Sequence, residues 1–326
     1  MRMIMGILSL LATWPAFAQQ STFQDDFDIQ KAFCRQSFPS AAQQLAELQA
    51  ATLADPTAST GVGGLKIQNE NPSLIWAYRE LVSYKNFDFS YKTDVDFWAV
   101  FKDDTCDKAL CAAQTIFGNE RGVLFLYLAW KYGIVASELG FDRLAPPTPA
   151  DQTKFDAYYT VQAWTPESIA PFLTALPQLP AAQMPILGGW RFTRAGIVDP
   201  MNANVLSNAL IQVYSPLESE TPAHQEQTMF HELGHAVGAA SLDHTPEWIA
   251  ASGWALVDGK VINNKPDEFI SEYAKKDLFE DFAESFVYYR YAPELLIKKS
   301  PARYDYLKKF VFGNREYRSQ ADCAAN

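Results

Sequence analysis

Hydrophobic and polar positions along the chain fall mostly into helical spacing. Residues 40–53, 72–83 and 123–139 place apolar side chains three and four positions apart, which predicts three helices. A fourth is expected at 166–175. The texture then changes. WRFTRAGI within 189–197 and ALIQVY at 209–214 are short and rich in β-branched and aromatic residues, so both read as strands. SPLESETP follows as a loop. Thr221 then offers an N-cap and Pro222 a first helical position, and a helix should run from Ala223 to about Ala240. KDLFEDFAESFVYYRY at 276–291 predicts a second strong helix that Pro293 stops, and 302–312 a terminal one. This order of helices, short strands and further helices gives an α+β class.

Composition refines the segmentation. Residues 1–18 join a single Arg2 to an apolar core and an Ala16-Phe17-Ala18 site, which reads as a signal peptide cleaved after Ala18. Residues 19–149 are expected to form a mainly helical N-terminal region, and LAPPTP at 144–149 is a boundary with a second domain at 150–326. Aromatic residues crowd 76–101 and read as core packing. The apolar run 123–130 stops at Lys131, so no stable membrane insertion is expected. A net charge of −11, dispersed along the chain, argues against nucleic acid and anionic membranes as partners. In an exported chain, Cys34, Cys106, Cys111 and Cys323 suggest disulfides. Cys106 and Cys111 close a short loop, which leaves Cys34 for Cys323. The expected location is secreted or periplasmic. Oligomeric state has no signal in the sequence.

The chemistry concentrates at QTMFHELGHAVGAA, residues 227–240. His231, Glu232 and His235 form H-E-x-x-H. Positions i and i+4 share a helix face, so both imidazoles reach one metal ion, and Glu232 can contact a water beside it without ligating. Zinc needs a third protein ligand and an open position for water. Position 241 is Ser241, which excludes a third histidine at that spacing. Asp243 or His244, just past the helix, is one alternative. Glu280 is the favoured one. It shares a face with Glu284 amid Ala283 and Val287, with Phe279, Phe282 and Phe286 alongside, where unpartnered acids are costly. Glu284 can then accept the distal ring N–H of a ligating histidine. His224 reads as a solvated first-turn residue, and Arg191 and Arg194 as surface strand charges.

HELGHAV, followed after a long interval by SEYAKKDLFEDFAESF, resembles the catalytic domain of anthrax lethal factor and its relatives. Those are zinc metallopeptidases of the gluzincin group with a zincin-like fold. The likeness covers roughly residues 186–312, including a strand before the site helix and a terminal SPARYDYLKKF helix. It implies Zn2+ on His231, His235 and Glu280, with Glu232 as general base. Tyr273 occupies the place of a tyrosine that assists the oxyanion. The expected function is an exported zinc endopeptidase acting on protein or peptide substrates. Two other functions fit the same residues. One is a catalytically silent zincin-fold binding protein whose aromatic N-terminal region docks a protein or glycan. The other is a metal-dependent amidase acting on cell-wall peptides.

Overall fold

The computed structural model describes residues 29–53, 71–85, 105–136, 159–161, 164–187, 189–197, 203–206 and 210–323, and among these described residues there are seven strands and ten α-helices. The expected signal peptide, the GVGG loop, most of the aromatic-rich stretch and the proline-rich boundary lie outside the described residues.

The N-terminal helices are α1 (Ala41–Leu53), α2 (Pro72–Lys85), α3 (Ala109–Phe117) and α4 (Asn119–Tyr132). The helix expected over 123–139 is corrected at both ends. It starts earlier, after Gly118, and it stops at Gly133, whose left-handed φ of 69° breaks the ladder. Ile134–Ala136 then forms β1, not a last helical turn. Its apolar run satisfies either period, and only pairing with a distant strand decides between them.

That distant strand is β3 (Trp190–Ile197). It pairs in parallel with β1, antiparallel with β2 (Tyr159–Val161), and in parallel with β5 (Leu210–Tyr214). β4 (Ala203–Leu206) runs antiparallel to β5 and closes the order β1-β3-β5-β4. The ALIQVY strand is therefore internal, and the sheet edge on that side belongs to β4. α5 (Pro166–Ala175) is secured by a reciprocal cap between Thr165 and Ser168.

Two helices carry the chemistry. α6 (Pro222–Val237) begins as expected, with Thr221 Oγ1 accepting from His224 N. It loosens at Gly238–Leu242 into a π turn ended by Ser241 at φ 89°, so the expected helix to Ala240 falls short. α7 (Pro246–Ser252) and a hairpin, β6 (Trp254–Val257) with β7 (Lys260–Asn263), follow. α8 (Leu278–Tyr291) starts two residues later than expected because Asp277 caps it, accepting from Phe279 N and Glu280 N at 2.9 Å each. Pro293 opens a further helix, α9 (Pro293–Lys299), and α10 (Pro301–Tyr306) passes into a π turn at Leu307–Val311.

α6 and α8 pack against each other. A Cβ at Gly234 would lie 3.1 Å from the Phe286 ring and 3.3 Å from Ala283 Cα, so a side chain here would force the facing residues to shift by a few tenths of an ångström. One hydrophobic cluster runs from Ile29 to Tyr317 and includes residues on both sides of position 149. Two polar clamps set the rotation of the helices. Arg303, fully buried, donates Nε to Asp281 Oδ1 at 2.9 Å and Nη2 to Asp281 Oδ2 at 2.8 Å, while Trp254 Nε1 donates to Oδ2 at 2.9 Å. Asp281 is thereby held away from its neighbour Glu280. Behind α6, buried Glu226 takes Arg35 and the Tyr291 hydroxyl, the latter at 2.9 Å. Arg290 Nη1 donates to Phe33 O at 2.9 Å, and Gln178 Nε2 to Gln36 O at 3.0 Å. Residues 33–36 thus form a strap along the back of the site helix.

Cysteines are paired as Cys34–Cys323 and Cys106–Cys111, with Cα separations of 5.3 and 5.6 Å. Such pairs point to an oxidising compartment. Among the described residues no helix is long and apolar enough to cross a membrane.

Candidate metal centre

Helical spacing puts His231 and His235 on the face of α6 that meets α8. Their rings lie nearly perpendicular, with centroids 4.7 Å apart. Across the crossing, α8 delivers Glu280. Three atoms converge: His231 Nε2 and His235 Nε2 are 3.1 Å apart, and Glu280 Oε2 lies 3.1 Å from each. A single proton can satisfy one of these contacts but not all three, whereas one cation at the centre satisfies every lone pair. The group could hold a metal ion, and it is the one cluster of this kind among the described residues.

The second polar atoms of His231 and Glu280 are engaged elsewhere. His231 Nδ1 meets Glu284 Oε1 at 2.9 Å, and Ser271 Oγ donates to Glu284 Oε2 at 2.5 Å. The carboxylate fixes the tautomer, so that Nε2 points into the cluster. Glu280 Oε1 accepts from Tyr273 OH at 3.0 Å and from Lys276 Nζ at 2.7 Å. One oxygen of Glu280 is occupied by donors, and the other faces the imidazoles.

Glu232 is buried beside the cluster, and its Oε2 has no hydrogen-bond partner. An orphaned buried carboxylate oxygen in a site of this kind marks the place of a missing polar group. Burial pushes the Glu232 carboxyl above the ordinary carboxylate range, against the opposing pull of His231 and His235. Burial alone would lower His231, but hydrogen bonds and charge from Glu280 and Glu284 prevail and push it up to about 10 in the metal-free protein. Burial opposes ionisation of Glu280 too, yet the two histidines hold its carboxyl well below the usual range. Burial, with the charges of Glu280 and Glu232, drives the Tyr273 phenol upward and keeps it protonated.

The structure brings together His231, Glu232, His235, Tyr273, Glu280 and Glu284. It does not bring in the alternative ligands. His244 Nδ1 instead meets Asp243 Oδ1 at 2.6 Å, outside the three-atom cluster. Arg194, expected on the surface, is buried and paired with Glu218, because β3 lies inside the sheet. Sequence reasoning missed Ser271 and Lys276. Both sit in the irregular segment before α8, where no periodicity marks them. No protein-family model, curated protein or solved structure matches the chain.

Proposed function

We propose that the protein is a zinc-dependent peptidase with a zincin-like catalytic domain, exported and acting on extended peptide or protein substrates. The observation that carries this reading is the convergence of His231 Nε2, His235 Nε2 and Glu280 Oε2, each 3.1 Å from the others. Nitrogen and oxygen ligands about 2.0–2.2 Å from one tetrahedral zinc stand roughly 3.3–3.5 Å apart, a few tenths of an ångström wider than observed. Two imidazoles and a carboxylate, with Glu232 unpartnered alongside, are also a donor set that zinc takes in catalytic sites.

Zinc held there supplies Lewis acidity toward water and toward a substrate carbonyl. Glu232 receives the proton as water adds to the scissile carbonyl carbon, and returns it to the leaving amine nitrogen. Burial raises its proton affinity, the direction that favours taking up a proton. Tyr273, kept protonated, turns its hydroxyl from Glu280 to the carbonyl oxygen as negative charge develops. Glu284 and Ser271 keep the His231 ring from rotating. β4, at the sheet edge and in contact with α6, offers backbone groups to an extended substrate.

The test is metal content and peptide-library cleavage of purified protein, wild type against Glu232→Gln. We expect stoichiometric zinc in both, and at least about 100-fold less cleavage in the variant. Cleavage that survives the substitution or a chelator unchanged overturns the reading.

A further inference from the structure

Lys276 is placed where helix energetics disfavour it. It immediately precedes Asp277, the N-cap of α8, so its charge faces the positive end of the helix dipole. Its partner Glu280 lies four residues further on, and the order cation-then-acid is the weaker one for such a pair. Even so, the ammonium reaches inward, 2.7 Å from Glu280 Oε1, 3.4 Å from Tyr273 OH and 5.1 Å from the Tyr273 ring centroid. A lysine serving the helix alone would sit in its last turn.

We propose that Lys276 is a positioning residue that keeps Glu280 a one-oxygen ligand. Glu280 presents Oε2 to the two imidazoles while Oε1 is occupied by other donors. Two donors are present, Tyr273 and Lys276. If the phenol swings to a substrate oxygen, Oε1 loses one of them, and without Lys276 it would turn toward the metal and close the position that water needs. The lysine therefore lets Tyr273 leave without changing the coordination of Glu280. This rests on the reading of the triad as a metal site, and it extends that reading to a residue outside the motif.

The experiment uses the full-length exported protein reconstituted with Co2+ and, separately, with Zn2+. Four-coordinate Co2+ absorbs strongly in the visible, and higher coordination weakens the bands, so the spectrum reports whether Oε1 has joined the metal. We expect Lys276→Met to lose visible intensity and to bind zinc about tenfold more weakly in chelator competition, as for other groups that hold a ligand in place. Lys276→Arg should restore both. Tyr273→Phe alone should leave the spectrum unchanged, because Lys276 still holds Oε1. Lys276 is about half exposed, so the variants should fold, and circular dichroism checks this. A wild-type spectrum and affinity in Lys276→Met overturns the role of the lysine while leaving the metal site standing. Equal losses in the Met and Arg variants overturn it as well. A wild-type protein that takes up neither ion overturns the metal site itself, and the role of Lys276 with it.

Discussion

Replacing Glu284 with glutamine tests how much of the centre depends on a residue that need not touch the metal. The side chain is 1 % exposed, so the substitution changes charge and hydrogen bonding with little change of volume. Glu284 has two partners, His231 Nδ1 at 2.9 Å and Ser271 Oγ at 2.5 Å. Glutamine brings one oxygen and one amide group. If the oxygen keeps His231, the amide faces Ser271, whose hydroxyl loses its acceptor while still accepting from Ala274 N at 3.1 Å. Hydrogen bonds to charged groups contribute about 1.5–3 kcal/mol and neutral ones about 0.5–1.5, so the loss at His231 is roughly 1–1.5 kcal/mol. That corresponds to about a tenfold loss in zinc affinity. It meets the lower end of the roughly 10–100-fold range for groups that orient metal-binding histidines. Competition with a chromophoric chelator at fixed pH measures it, with Ser271→Ala as companion. The companion keeps the carboxylate and should lose less. Unchanged affinity in a folded Glu284→Gln protein would falsify the orienting role, as would a larger loss in Ser271→Ala.

Proton competition should be visible in the same assay. His231 in the metal-free protein is raised to about 10, so zinc binding near neutral pH should release about one proton, and affinity should climb roughly tenfold per pH unit. Calorimetry in buffers of different ionisation enthalpy counts that proton, and a count of zero contradicts the assignment. The sign for stability is opposite. A raised histidine stabilises the metal-free fold fully below its ordinary range, and this contribution is lost as pH rises through about 10, which thermal melts of chelated protein can follow. Gly234→Val should destabilise by about 1–3 kcal/mol and weaken metal binding, because the new methyls meet Phe286 between Phe230 and Phe312 at ring distances of 4.8 and 5.1 Å. Denaturant melts with retained wild-type stability would contradict that crossing. The Cys34→Ser/Cys323→Ser variant should lose about 2–4 kcal/mol, also read from denaturant melts, with no loss contradicting the tie.

The parts of this fold legible in the sequence are those whose signal is local. The i, i+4 histidines, the Thr221–Pro222 start and the acid pair on an apolar helix each follow from one turn of geometry, and α6 and α8 form where that geometry puts them. β1, β2, β4 and the β6–β7 hairpin were not legible, because strands of three or four residues carry too little periodicity and are decided by their partners. The overrun at 134–136 has the same origin, since β1 exists through its register with Trp190–Phe192. Arg194 read as exposed because its partner Glu218 lies 24 positions away, beyond any local pattern. Ser271 and Lys276 act through an irregular segment, where only contact with α8 gives a side chain its meaning.

The strap along the back of α6 bears on when the site can exist. Arg35 reaches Glu226 across 191 positions, Phe33 O reaches Arg290 across 257, and Cys34 reaches Cys323 across 289. Contacts of such separation close late in folding, because the loop entropy must be lost before they form. During synthesis residues 33–36 leave the ribosome long before their partners. The strap behind the helix bearing His231 and His235 therefore gains its full set of contacts, Arg290 and Cys323 included, only once nearly the whole chain is released. The same late step brings the two cysteines together for oxidation. If a centre completed at that stage holds a metal, the ion would come from the compartment where the disulfide forms, and the local supply there, more than intrinsic affinity, would decide which ion it is.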